Sequence, residues 1–251
     1  MLTILMPISG RGRAFIERGY TFPKPLIEIA GEPLIEVVVR NLVPDEPHRF
    51  VFVCRRDSIA NYALADVLQL ISPSCKIVSI GDTGGALCSA LLGIDSIEAD
   101  EELLIVNGDQ IIDRKIGEFL AAARESHADG SIITFPSTHP KWSYVRASES
   151  NDVELVAEKK PISRDATAGI YYFRRGGDFL FAAQRMMLKG TRTANEYFVA
   201  PVFNELILKG MRISVFQIAR HQMHSLGTPE DLESFTKRAN SIKELTEDDA
   251  A

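Results

Sequence analysis

Short apolar, β-branched runs alternate along the chain with longer segments whose apolar positions recur at helical spacing. Runs of about four to eight such residues read as buried strands, and 3.6-residue periodicity reads as helices with one face on a core. The strands predicted in this way are Thr3 to Ile8, Arg49 to Cys54, Cys75 to Ser79, Leu103 to Asn107, Gly130 to Phe135, Ala168 to Phe173 and Arg212 to Gln217. The helices between them are Pro33 to Asn41, Asp57 to Leu70, Gly84 to Ile94, Lys115 to Ser126, Gly177 to Leu188, Glu196 to Lys209 and Pro229 to Ser241. Such alternation predicts an α/β layered fold with a largely parallel sheet. The first strand is expected at the centre, with the loop after it at the carboxyl edge, where open α/β sheets bind ligands.

Trp142 to Val156 alternates polar and apolar residues and is expected to form a hairpin laid over that edge. There is no internal repeat and no linker, so residues 1–243 are expected to form one domain, followed by an acidic, fraying tail at 244–251. With 45% hydrophobic and 25% charged residues, the composition is that of an ordinary soluble globular protein. A formal charge of -6 argues against nucleic acid or an anionic membrane surface as a partner, while leaving room for a local basic pocket. Cys54, Cys75 and Cys88 are odd in number and lack CxxC spacing, which points to reduced, mostly buried thiols. No signal peptide and no membrane span is legible, and a cytoplasmic location is expected. No motif specifies assembly, and a homo-oligomer is left open.

The first apolar run stops at Ser9-Gly10-Arg11-Gly12-Arg13 and is followed by Phe22-Pro23-Lys24-Pro25-Leu26. A buried strand opening into a glycine-bearing loop can wrap phosphate oxygens with bare backbone N–H groups. Arg11, Arg13 and Lys24 add positive charge where a triphosphate would need it. The glycines alone read rather as a strand-to-helix turn with solvated arginines, and the combination with Pro-Lys-Pro is what points to phosphate.

Leu103 to Asp109 (LLIVNGD) places a carboxylate at the same edge, either as a hard oxygen ligand suited to Mg²⁺ or as part of an Asn-Gly turn. Asp82 to Leu92 (DTGGALCSALL) is a tight helix entry, or a surface where Gly84, Gly85 and Ala86 let backbone approach a flat base. Glu158-Lys159 supplies an acceptor for hydroxyls beside a partner for phosphate, unless it is a solvated turn before Pro161. In Asn195 to Ile207, Pro201 makes a continuous helix awkward, and Asn195 or Glu196 is expected near the mouth of the site. His221 and His224 lack the spacing of a zinc pair, and no nucleophile motif supports covalent catalysis.

The stretch from Ile4 to Leu34 (ILMPISGRGRAFIERGYTFPKPLIEIAGEPL) resembles the N-terminal signature of nucleotidyltransferases that activate sugar 1-phosphates and related acceptors. Further segments resembling that family occur in its order as far as about Leu232. The resemblance implies a three-layer, Rossmann-like fold with a mainly parallel mixed sheet. It also implies a nucleoside triphosphate and a phosphorylated small-molecule acceptor as substrates and Mg²⁺ as cofactor.

Carried onto this chain, the resemblance places nucleotide binding on Ser9, Gly10, Arg11, Gly12, Gly84, Gly85 and Ala86. Arg13, Lys24 and Asp109 become the catalytic residues, with Asp109 holding the metal. Gly108, Glu158, Lys159 and Gly169 line the acceptor.

Three departures stand out. The family's loop arginine falls at Ala14, with Arg13 one residue earlier. Its second metal carboxylate falls at Ser225, two residues before Gly227 of Gly227-Thr228-Pro229. Lys160 is inserted before Pro161. Asp231 reads instead as part of a helix start capped by Thr228. A sugar 1-phosphate is the acceptor implied first. Phosphocholine is the alternative, with Trp142, Tyr144, Tyr171 and Tyr172 available for an aromatic cage. A non-catalytic homologue is a second alternative, motivated by Ala14 and Ser225.

Overall fold

β1 (Leu2–Pro7) forms the axis of the computed structural model, in which residues 1–248 are described, with side chains described through Arg238. It pairs in parallel with β4 (His48–Arg55) on one side and β6 (Glu102–Val106) on the other, and β4 carries β5 (Lys76–Ile80) at the edge, also parallel. The short strands β2 (Glu28–Ile29) and β3 (Glu32–Pro33) make a separate small ribbon. Beyond β6 the direction reverses. β11 (Asp165–Phe173) runs antiparallel to β6 and to β8 (Gly130–Pro136), and β12 (Ile213–Gln217) pairs in parallel with β8. The predicted hairpin is present as β9 (Tyr144–Ala147) and β10 (Val153–Ala157), joined to the start of β11. β7 (Gln110–Ile112) and β13 (Met223–Ser225) form a second small ribbon. The outcome is a mainly parallel, mixed nine-stranded sheet.

Alternation along the central strands sorts the core into two layers. Ile4, Met6, Phe50 and Phe52 face α2 (Leu34–Leu42), α4 (Leu64–Ile71), α6 (Ile116–Glu125) and the start of α9 (Pro229–Asp248), together with Phe15 of α1 (Arg13–Glu17). Leu5, Val51, Val53 and Ile105 face α5 (Ala86–Leu92), α7 (Gly176–Leu188) and α8 (Phe203–Leu208). Helices on both faces give the three-layer arrangement that the alternating pattern predicts.

Several helices depart from expectation for local backbone reasons. The segment Asp57 to Leu70 is two helices, α3 (Arg56–Tyr62) and α4, because Ala63 between them is left-handed at φ 52°. The helix expected over Gly84 to Ile94 starts only at Ala86, since Gly85 at φ 122° is not helical, and it ends at Leu92 before a 3-10 turn. The helix expected over Glu196 to Lys209 is shortened to α8. Pro201 lies in a 3-10 turn at Ala200–Val202, and Ala194 and Asn195, both left-handed, reverse the chain between Thr193 and Glu196. α9 continues past Ser241 to Asp248, through most of the expected tail, and 249–251 lie outside the described residues. All three cysteines are free; Cys54 is buried, with burial pushing its thiol up to about 12, whereas Cys75 and Cys88 are half-buried. Among the described residues no helix is long and apolar enough to cross a membrane.

Candidate active site

The loop after β1 is shaped by close approach. Gly12 is left-handed at φ 63°, and a Cβ there would stand 3.2 Å from Lys24 Cβ. α1 begins directly after it, with the amides of Phe15 and Ile16 donating to the Gly12 carbonyl at 2.9 and 3.2 Å and the Phe15 ring buried beneath. Ser9 Oγ donates to Ser89 Oγ at 2.8 Å, Ser89 pairs with Thr83 Oγ1 at 2.8 Å, and Thr83 donates to the Gly85 carbonyl at 3.1 Å. This hydroxyl chain ties the phosphate-type loop to the glycine segment before α5. That segment is fastened again by Tyr197, whose amide donates to Gly84 O at 2.8 Å and whose carbonyl accepts from Leu87 N at 3.0 Å. A Cβ at Gly85 would stand 2.4 Å from Tyr197 O, so no side chain fits there.

Lys24 sits in a 3-10 turn between Pro23 and Pro25, and its Nζ donates to Asp109 Oδ2 at 2.6 Å. Asp109 follows β6, and Gly108 before it packs so tightly on Ile8 that a Cβ would stand 2.3 Å from Ile8 Cγ2. A cavity of about 200 Å³ opens here between Gly10, Gly12, Lys24, Asn107, Gly108 and Asp109.

The sheet splits on the other side of Asp109. β11 pairs with β9 at Asp165 and Ala166 but joins β6 only from Ile170 onward, and the register shifts between Thr167 and Tyr171. Gly169 occupies this shift at φ 70°. A Cβ there would stand 2.1 Å from Gln110 Oε1 and 2.4 Å from Asn107 Nδ2, while its carbonyl accepts from Asn107 N at 2.9 Å. A second cavity of about 290 Å³ fills the split and is bordered by Asp109, Gln110, Glu158, Lys159, Gly169 and Tyr171. Asn107 and Asp109 border both cavities, which form one cleft with the Lys24–Asp109 pair at its waist.

Glu158 lies just past β10 and accepts a short hydrogen bond from Ser143 Oγ. Burial holds its carboxyl above the usual carboxylate range, an effect offset in part by the Ser143 bond and the neighbouring Lys159 charge. Burial, reinforced by the Glu158 charge, likewise pushes the Tyr171 phenol up, and Tyr171 OH lies 3.0 Å from Thr167 Oγ1. Lys159 is left-handed at φ 52°, and its Nζ stands 4.5 Å from the Phe198 ring centre.

β13 brings the C-terminal segment to the cleft by pairing Ser225 with Gln110. Leu226 N donates to Asp109 O at 2.7 Å, and Ser225 Oγ donates to Asp231 Oδ2 at 2.8 Å. Asp231 does accept the expected helix-start geometry, its amide donating to Thr228 Oγ1 at 3.2 Å. Its carboxylate, however, borders the larger cavity and pairs with Lys141 Nζ at 3.1 Å. A Cβ at Gly227 would lie 3.6 Å from Asp109 Oδ2 and 3.9 Å from Asp231 Oδ2, so the two carboxylates flank one glycine.

The structure therefore gathers Gly10, Gly12, Lys24, Gly108, Asp109, Glu158, Lys159 and Gly169 around one cleft, with Ala86 on its wall and Gly84 and Gly85 beside it. Ser9 and Arg11 lie in the loop but border neither cavity, Arg11 in an ion pair with Asp82. Arg13, the first residue of α1, is exposed and borders neither cavity, as is Ala14. Sequence reasoning missed Ser143, Gln110, Lys141, Phe198 and the inward carboxylate of Asp231. Their roles come from pairings across the split sheet and carry no local motif. His224 stands 2.8 Å from Asp113, and among the described residues no cluster of three metal-ligating side chains occurs.

A parallel sheet with a glycine loop and a carboxylate at its carboxyl edge, and an antiparallel extension that walls a second cavity, defines a nucleotide-handling α/β protein. Residues 8–234 match the nucleotidyl transferase family model, and the chain belongs to that family. It is similar to a nucleoside-diphosphate-sugar pyrophosphorylase of Vibrio cholerae, with a TM-score of 0.80 and 26% identity, covering 94% of this chain and 100% of that one. It is 23% identical over 225 residues to the UTP–glucose-1-phosphate uridylyltransferase AglF of Haloferax volcanii, covering 86% of this chain and 87% of AglF. It is 22% identical over 227 residues to the bifunctional protein GlmU of Methanocaldococcus jannaschii, covering 89% of this chain but only 51% of GlmU.

Proposed function

We propose that the protein is a Mg²⁺-dependent nucleotidyltransferase that joins a nucleoside triphosphate to a sugar 1-phosphate and releases pyrophosphate. The observation that carries this reading is the single cleft with Lys24 and Asp109 at its waist, a phosphate-type loop on one side and Glu158 with Lys159 on the other. In the reaction an oxygen of the acceptor phosphate forms a bond to the α-phosphorus while the α–β bridging P–O bond breaks, and the electron pair leaves with pyrophosphate. No covalent enzyme intermediate is needed, so positioning and charge stabilisation supply the catalysis.

The backbone amides of residues 10–12 and the Lys24 ammonium face the triphosphate. Lys159 holds the acceptor phosphate, and Glu158 accepts its hydroxyls. The paired carboxylates of Asp109 and Asp231 on either side of Gly227 are hard oxygen donors of the kind Mg²⁺ takes together with water and phosphate oxygens. Mg²⁺ held there supplies positive charge to the phosphates.

The cavity lining favours a hydroxylated anion over phosphocholine. Tyr144 and Tyr172 are buried in the core, and Tyr172 donates to Glu102 at the far end of β6. Tyr171 is buried as well, its hydroxyl 3.0 Å from Thr167 Oγ1, and the Trp142 and Phe198 rings at the cavity are already covered by ammonium groups, Lys141 over Trp142 at 4.7 Å and Lys159 over Phe198 at 4.5 Å. The similarity to AglF supports a hexose 1-phosphate.

The test is Mg²⁺-dependent pyrophosphate release from a panel of triphosphates and sugar 1-phosphates. Lys24→Ala and Asp109→Ala are expected to lower turnover at least 100-fold while circular dichroism stays that of the wild type, in line with the loss of a preorganised charge. A folded, fully active Asp109→Ala protein would sink the metal assignment, and nucleotide binding without turnover by the wild type would favour the non-catalytic reading.

A further inference from the structure

Arg55 stands at the carboxyl end of β4, beside the loop after β1, with a side chain only 13% exposed. Its guanidinium is used on two edges. Nε and Nη2 are fixed by Asp57, at 3.0 and 2.7 Å, while Nη1 projects to Asp82 Oδ1 at 2.5 Å. Asp82 also takes Arg11 of the loop, through Nε at 3.1 Å and through a short bond from Nη2. Two arginine forks thus converge on one carboxylate that is 60% exposed. Arg11, Arg55, Gly10, Gly12 and Lys24 border a common cavity of about 320 Å³ that opens on the outer side of the loop.

We propose that Arg11 and Arg55 form a clamp for the terminal phosphates of the triphosphate, the group that leaves as pyrophosphate, and that Asp82 holds its place while the site is empty. The proposal rests on the nucleotidyltransferase reading. Three features of the geometry carry it. Arg55 is oriented by Asp57 through one edge, which leaves its other edge, held here by the exposed Asp82, to be turned to an oxyanion. Arg11 reaches the same point from the loop, so the two forks are spaced for one tetrahedral anion with oxygens on both sides. Asp82 is exposed at the end of β5 and can turn to water when a more highly charged group arrives. The clamp also accounts for Ala14, since a loop that draws a second cation from β4 can do without an arginine at that position.

The experiment is calorimetric titration, in Mg²⁺, of inorganic pyrophosphate, the preferred triphosphate and its nucleoside monophosphate into wild-type protein, Arg55→Gln, Arg55→Lys and Asp82→Asn. Arg55→Gln should weaken pyrophosphate and triphosphate at least tenfold and leave the monophosphate unchanged. Arg55→Lys, which keeps the charge but not the fork, should fall between the two and covers a failure of Arg55→Gln to fold. Asp82→Asn should tighten pyrophosphate severalfold. Equal pyrophosphate affinity in wild type and both Arg55 variants overturns the clamp, and weaker pyrophosphate binding by Asp82→Asn overturns the place-holding role. A wild-type protein that binds none of the ligands overturns the nucleotidyltransferase reading itself.

Discussion

Glu158 is a carboxylate held in a place that disfavours its charge. Its proton is held more tightly in the folded chain than in the unfolded one, so it adds stability below the unfolded value near 4.5 and loses that contribution as the pH rises past the folded value. Glu158→Gln removes the charge but keeps an oxygen for Ser143. The variant is expected to melt above the wild type at neutral pH, with the gap closing toward about pH 4, in thermal scans across that range. Its affinity for the acceptor should drop at the same time, separating what the residue costs the fold from what it gives the site. Lys24, Asp109 and Glu158 were legible because each stands in a local motif, and Gly169 only through the family resemblance. Ser143 was not, because its only signature is the hydrogen bond it makes across 15 residues to Glu158.

At the level of elements, β10 lies at the end of its sheet path, and α8 caps it. Asn204 Oδ1 accepts from Val156 N and Asn204 Nδ2 donates to Val156 O, both at 2.8 Å, as a neighbouring strand would. Val156 lies two residues before Glu158. Asn204→Ala leaves both backbone groups without this partner and is expected to cost roughly 1–3 kcal/mol in denaturant unfolding, with a raised KM for the acceptor and little change for the nucleotide. Six of the seven expected strands were readable from their apolar runs to within a residue, whereas β11 starts three residues early, at Asp165, and the two-residue strands β2 and β3 were not foreseen. The helices were less readable, because periodicity does not register a single left-handed residue such as Ala63; the strands β7 and β13, at three residues each, are too short to show a period.

For the whole molecule, the two cavities meet at one waist, so a ligand in either stabilises elements from both halves of the sheet. A nucleoside triphosphate present at about a hundred times its dissociation constant should add about 2.7 kcal/mol, or about 5 to 10 °C in the melting midpoint of a chain this size. Melting with CTP, UTP, dTTP, ATP and GTP, each with and without Mg²⁺, would name the base, and silence from all five would discredit the phosphate-loop assignment. The layered architecture was legible from the alternation of strands and helices. The split between β6 and β9 that opens the larger cavity of the cleft was not, since it arises from the register shift at Gly169 and the way β11 changes partners.

The fastening of Gly84 and Leu87 by Tyr197 has a consequence for how the protein is made. The segment that would meet the base takes its shape from a residue more than a hundred positions later in the chain. During synthesis Gly84 and Leu87 lack these two backbone partners until Tyr197 has emerged from the ribosome and docked. On the nucleotidyltransferase reading, binding of the base therefore waits until the two halves of the chain have met.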